Sequence, residues 1–68
     1  MTFGEKLKEL RLSKGKTQKA MASELGKISV TTYSQYETDI LTPSFRRCGK
    51  ICKVLGIEPE ELFKGVEL

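Results

Sequence analysis

Apolar residues recur at helical spacings of three and four along most of this chain. Phe3, Leu7 and Leu10 follow Thr2-Phe3-Gly4-Glu5, the Ser/Thr-x-x-Glu pattern of a capping box. They predict a first helix over 3–14, stopped by Gly15. Thr17 opens a second over 18–25, with Met21, Ala22 and Leu25 as its apolar members. Gly26 ends it, because glycine enters the left-handed conformation freely. Ser29 caps a third helix over 30–37, in which Tyr33, Tyr36 and Glu37 share one face and Val30, Thr31, Ser34 and Gln35 the other. The run Val30-Thr31-Thr32 has weak helix propensity, so a strand over 28–33 is the alternative. Thr42-Pro43 leads into a fourth helix over 44–55, whose stripe of Phe45, Cys48, Ile51, Cys52 and Leu55 is the strongest periodicity in the chain. Gly49 within it costs ~1 kcal/mol relative to alanine and marks a place of close packing. After Gly56, Pro59 with Glu60 and Glu61 opens a short fifth helix over 59–63. Residues from Lys64 onward are expected to fray. The product is one all-α, compact five-helix domain.

Charge sharpens this picture. The 68 residues carry a net charge of +3. Residues 1–36 hold seven Lys/Arg against three Glu, and residues 37–68 hold five against six acids. A basic first half suits a polyanionic partner, although an ordinary solvated surface fits the same numbers. Histidine is absent, which removes the commonest general base and a common metal ligand. Cys48 and Cys52 alone make no structural zinc site, and their i,i+4 spacing on a helix is poor for a disulfide. They read as small, reduced core residues, in keeping with a cytoplasmic protein. No stretch approaches the ~20 apolar residues of a membrane span, and the first residues do not have the form of a signal peptide. A soluble, non-enzymatic protein without metal or cofactor is expected.

Two short helices joined through a glycine-bearing turn form the helix-turn-helix layout. The second helix of such a pair must fit a major groove about 12 Å wide. Its outward face here offers Thr31 and Gln35 for hydrogen bonding and Val30 for contact with a thymine methyl. Tyr33 and Tyr36 are placed to anchor the other face. A merely solvated polar face accounts for the same residue types.

The stretches Thr17-Gln18-Lys19-Ala20-Met21-Ala22-Ser23-Glu24-Leu25-Gly26 and Ser29-Val30-Thr31-Thr32-Tyr33-Ser34-Gln35-Tyr36-Glu37 resemble the phage-repressor (Cro/C1-type, XRE) helix-turn-helix family. Phe3 to Arg11 resembles the family's first helix, Thr42-Pro43-Ser44 its loop into the fourth, and Leu55-Gly56-Ile57 with Glu60 to Phe63 its closing turn and fifth helix. The resemblance spans roughly 3–63 and implies a lambda-repressor-like DNA-binding domain that acts as a transcriptional regulator, most simply a repressor. It further implies that Val30, Thr31 and Gln35 face base edges, that Gln18 bonds a backbone phosphate, and that Thr32 and Ser34 lie near groove walls or phosphates. Arg11 and Glu37 match positions that pair to tie the first helix to the third.

Three departures from the family pattern stand out. Lys27 is a one-residue insertion in the turn, able to alter the angle between the two helices or to reach a phosphate. Asp39 sits where the family usually has glycine. The loop 38–42 lacks basic residues, for which Arg46 and Arg47 are the nearest replacements. Double-stranded DNA is the implied partner, bound by a homodimer. Ile57, Leu62, Phe63 and Val66 either form the dimer surface or close the monomer's own core. A protein-interaction module on the same fold, antitoxin-like or anti-repressor, with a protein partner, is the alternative function.

Overall fold

The computed structural model describes residues 1–67. Five helices follow one another: α1 (Phe3–Ser13), α2 (Gln18–Glu24), α3 (Val30–Glu37), α4 (Phe45–Leu55) and α5 (Pro59–Phe63). The architecture is all-α, with no strand among the described residues.

Each of the first four helices begins with a hydroxyl that accepts a backbone N–H three residues on. Thr2 accepts from Glu5 at 3.1 Å, Thr17 from Ala20 at 3.0 Å, Ser29 from Thr32 at 3.0 Å and Ser44 from Arg47 at 3.1 Å. Glu5 Oε1 accepts from the Thr2 N–H at 2.8 Å, which completes the capping box. Caps of this kind typically contribute ~1 kcal/mol each. Three predicted bounds shift by one residue. Ser44 is the N-cap of α4, not its first residue, because its hydroxyl reaches the Arg47 N–H only from an extended backbone. Lys14 and Leu25 are C-caps, since the chain there already turns into the left-handed Gly15 and Gly26.

The strand alternative for 28–33 gives way to helix from Val30 onward. Burial of Tyr33 and Tyr36, together with the Ser29 cap, outweighs the weak propensity of the β-branched run. The core gathers Leu7 and Leu10 of α1, Met21, Ala22 and Leu25 of the second segment, the two tyrosines, Ile51, Cys52 and Leu55 of α4, and Leu62 of α5. α1 lies against α3 and α5, α2 against α3, and α4 against α5.

Two expectations for α4 fail. Phe45 is 95% exposed, because at the first residue of the helix it rims an open groove instead of meeting the core. Gly49 has no packing reason within the domain, since a Cβ there would meet nothing within 4 Å. Both cysteines are free thiols, Cys52 buried and Cys48 half-buried. Burial pushes both above the ordinary thiol pKa, helped by Cys52 at Cys48 and by the Glu58 carboxylate at Cys52.

The apolar residues of the closing segment divide by burial. Leu62 is fully buried in the core and Ile57 packs half-buried against it, so these two close the monomer's core, while Val66 is half-buried outside it. Phe63 stays partly exposed, 5.8 Å from the ring of Phe3. The predicted fraying from Lys64 onward gives way, through Glu67, to a docked turn. The Val66 N–H donates to the Phe63 carbonyl at 3.1 Å and the Glu67 N–H to the Met1 carbonyl at 3.0 Å. No helix among the described residues is long and apolar enough to cross a membrane.

Candidate nucleic-acid interface

The carboxylate of Glu37, at the last residue of α3, holds three helices. Its Oε2 accepts from Arg11 Nε of α1 and from the Tyr33 hydroxyl, both at 2.6 Å. Its Oε1 accepts from Arg11 Nη2 at 3.3 Å and from Gln18 Nε2 of α2 at 3.0 Å. Arg11 Nη1 donates in turn to the Lys16 carbonyl at 2.8 Å, fixing the loop between α1 and α2. No buried side-chain polar atom among the described residues lacks a partner, which is what a charge taken out of water requires.

Burial alone would raise the Glu37 pKa. The hydrogen bonds from Arg11, Tyr33 and Gln18 outweigh it and hold the carboxyl below the usual glutamate range. The hydrogen bond to Glu37 raises the Arg11 pKa further, so the guanidinium stays charged. Burial, then the Glu37 carboxylate, pushes the Tyr33 phenol well above its ordinary value, and it remains a donor.

With Tyr33, Tyr36 and Glu37 turned inward, the opposite face of α3 is left outward. Val30 and Thr31 are exposed there, Val30 at 42%, and Ser34 and Gln35 are half-buried. The Gln35 side chain makes no hydrogen bond among the described residues, while its carbonyl accepts from the Ile40 and Leu41 N–H groups at 3.0 and 3.1 Å. Thr32 Oγ1 accepts from the Ser29 hydroxyl at 2.9 Å, and the Ser34 hydroxyl donates to the Thr31 carbonyl at 3.0 Å. Thr32 and Ser34 are therefore half-occupied locally, whereas Thr31 and Gln35 present free side-chain groups. Gln18, expected at a phosphate, has Glu37 as a protein partner. An amide nitrogen carries two hydrogens, so one remains for an outside acceptor.

The turn absorbs Lys27 with two consecutive left-handed residues, Gly26 at φ 106° and Lys27 at φ 62°. They fold the chain back on α2. The Leu25 N–H donates to the Met21 carbonyl at 2.9 Å, that of Lys27 to Ser23 at 3.2 Å and that of Ile28 to Ala22 at 3.2 Å. Ile28 then reaches the core and Ser29 still caps α3. The Lys27 side chain is left exposed beside the start of α3. The side chains of Lys50 and Arg47 converge on the same turn from α4. Arg47 Nη1 donates to the Leu25 carbonyl at the end of α2. Of the two arginines expected to replace missing loop cations, Arg47 is thus engaged in the protein, and Arg46 is exposed.

Asp39 adopts the left-handed conformation at φ 64°, as asparagine and aspartate do more readily than most residues. Its carboxylate is not turned to an outside partner. Oδ1 accepts from the Gly4 N–H at 2.9 Å and Oδ2 from the Thr2 hydroxyl at 2.6 Å, so it caps the start of α1. Sequence reasoning missed this role, and that of Gly4 beside it. The only local signal was a residue of poor helix propensity near the start of α1.

This arrangement of two short helices, a left-handed turn and a buried ion pair bracing the second helix against α1 is that of a helix-turn-helix domain. A helix-turn-helix family model matches residues 7–62, and the chain belongs to that family, in its XRE (Cro/C1) branch. Over 63 residues it is 40% identical to the SPbeta prophage-derived uncharacterized HTH-type transcriptional regulator YonR of Bacillus subtilis (strain 168). The match covers 93% of this chain and 57% of that protein, so the chain spans little more than half of the relative's length.

Proposed function

We propose that this chain is the DNA-binding domain of a transcriptional regulator and reads the major groove with α3. One observation carries the reading: α3 is braced by the Glu37 network on one side and offers Val30, Thr31 and Gln35, free of structural duty, on the other. A glutamine pairs with adenine N6 and N7, and threonine and valine methyls contact the thymine methyl. Gln18, Lys27, Thr32, Ser34 and Arg46 supply the backbone contacts around that helix. A domain that occupies an operator excludes whatever else must bind there, so repression is the mode it supplies by itself.

One reading helix covers only a few base pairs, and specific complexes need more contact than one small module offers. A homodimer on two half-sites about 34 Å apart meets that need. The Cα extents of 28 × 24 × 22 Å suit it: with side chains added, two touching copies have centres on that scale.

The test is selection of bound duplexes from a random pool, repeated with Gln35→Ala and Thr31→Ala. Both variants are expected to change the selected sequence. Affinity should fall steeply as salt rises. Weak binding to every duplex, insensitive to salt, sinks the reading. It would favour the second one, a protein-interaction module, for which the exposure of Ile40 (68%) and Leu41 in the cation-free loop after α3 is the specific observation.

A further inference from the structure

We propose that Arg47 of α4 is a positioning residue for base reading. It fixes the end of α2, and through the turn the start of α3, at the angle that brings Val30 and Thr31 to the bases. The inference rests on the DNA reading above and adds a residue that touches no base. The extra residue Lys27 creates the need. The turn runs through two successive left-handed residues, Gly26 and Lys27. Its backbone bonds return to Met21, Ala22 and Ser23. They leave the carbonyl of Leu25, the C-cap of α2, without a backbone N–H among the described residues. That end of α2 also carries the acid Glu24 and no basic residue in its last turn, the wrong charge for the negative end of a helix dipole. Arg47 Nη1 donates to this orphan carbonyl. One guanidinium thus satisfies the acceptor and supplies the missing positive charge.

The bond is placed to set direction. α2 packs on α3, and α4 packs on α5. Among the described residues, Arg47 to Leu25 is the one hydrogen bond that joins α4 to the unit of α2, turn and α3. Apolar burial is non-directional, whereas a hydrogen bond weakens steeply when its angle is lost. Arg47 is itself held. Its N–H donates to the Ser44 hydroxyl at 3.1 Å, and Ile51, Cys52 and Leu55 seat α4 in the core. Its side chain is half-buried and pairs with no carboxylate among the described residues. A Cβ on Gly26 would stand 3.8 Å from Arg47 Nη1, so the guanidinium lies over the turn. Ser29 caps α3 just beyond, and the Ile28 N–H is bonded back to Ala22 at 3.2 Å. A shift at the end of α2 is therefore carried into the start of α3. The far end of α3 is held separately, by Glu37 on Arg11. α3 has two braces, one at each end.

The experiment repeats duplex selection with Arg47→Met and Arg47→Lys, beside Thr31→Ala and Gln35→Ala, which assign base positions to the two ends of α3. Arg47→Met should relax the preference at the Thr31 position and keep it at the Gln35 position. Its affinity for the wild-type duplex should fall about tenfold or more, on the scale of one lost base pair. Affinity for a random duplex should hold, as should the slope of log affinity against log salt, because Arg47 is spent on Leu25. Arg47→Lys keeps the charge and a donor without the planar guanidinium, and should lie between. Melts establish that each variant is folded at the assay temperature, and if Arg47→Met is not, Arg47→Lys decides. An unchanged preference at both positions makes Arg47 a residue of stability alone and overturns the proposal. So does an equal loss on all duplexes with a slope lower by about 0.9, the mark of a phosphate contact. A wild-type chain that binds no duplex sinks the DNA reading itself, whereas a wild-type preference indifferent to Arg47 overturns the positioning alone.

Discussion

A Cβ on Gly4 would lie 2.3 Å from the carbonyl oxygen of Glu37. The start of α1 thus crosses the end of α3 at backbone contact, and the Gly4 N–H meets the Asp39 carboxylate at the same crossing. The residue that carries the buried ion pair is also the one against which the first helix is seated.

Gly4→Ala tests that contact through its sign. Helix propensity alone favours alanine by ~1 kcal/mol, so an open position would be stabilised. The obstructing atoms are backbone and cannot rotate away. We expect a net loss of about 1–3 kcal/mol, as for overpacking a close interface, read by urea denaturation. A variant as stable as wild type would mean that α1 and α3 are less closely apposed.

The Arg11–Glu37 pair makes an acid-sensitive brace. Because Glu37 is held below the ordinary glutamate range in the fold, the folded state binds fewer protons than the unfolded one as acid is added. Its contribution is fully present above the ordinary glutamate pKa and is lost as pH falls through the lower folded value. Arg11→Met leaves a buried carboxylate without its cation and should cost about 3–5 kcal/mol. With the Arg11 bonds gone, burial raises the Glu37 pKa, so the deficit should be largest near neutral pH and shrink as acid protonates the stranded carboxyl. Replacing both partners by methionine should cost less than the single change. Melts from neutral to acid pH on the three proteins check this, and an Arg11→Met deficit that does not change with pH would show that Glu37 is not the group titrating.

Much of this was legible in the sequence, for identifiable reasons. Thr2, Thr17 and Ser29 act locally, and a cap needs only the residue and the three that follow it. The facing of α3 followed from periodicity, since Tyr33, Tyr36 and Glu37 share one side of any helix. What escaped was contact at a distance in the chain. Gly4 meets Glu37, Asp39 caps α1, Arg47 reaches Leu25, and none of these pairs lies within one element. Phe45 misled for the opposite reason: its spacing was right, but periodicity does not say whether a neighbour extends far enough to cover the first turn of α4.

Lys27 bears on fold and function at once. A left-handed lysine is strained relative to glycine. Lys27→Gly should therefore stabilise the domain by about 0.5–1 kcal/mol, the relief of strain less the extra freedom of the unfolded glycine. If the side chain sits on a phosphate, the same change lowers the slope of log affinity against log salt by about 0.9. Thermal melts and a salt titration of DNA binding read the two effects separately. A more stable variant with an unchanged slope would assign Lys27 to the turn alone.

Gln18 stands between the brace and the proposed DNA backbone. One amide hydrogen is committed to Glu37 at 3.0 Å, which aims the other hydrogen and ties the helix start to the network. Gln18→Ala should remove both, costing about 1 kcal/mol of stability for the lost hydrogen bond and weakening binding to all duplexes alike, without altering the selected sequence. Gln18→Glu is the sharper variant. It sets a second carboxylate against Glu37, so it should cost stability near neutral pH, a deficit that eases as acid protonates the pair, and add repulsion toward phosphate. Duplex selection on both variants, with acid melts, distinguishes the roles. A changed sequence preference would make Gln18 a base reader, and unchanged affinity would confine it to the brace.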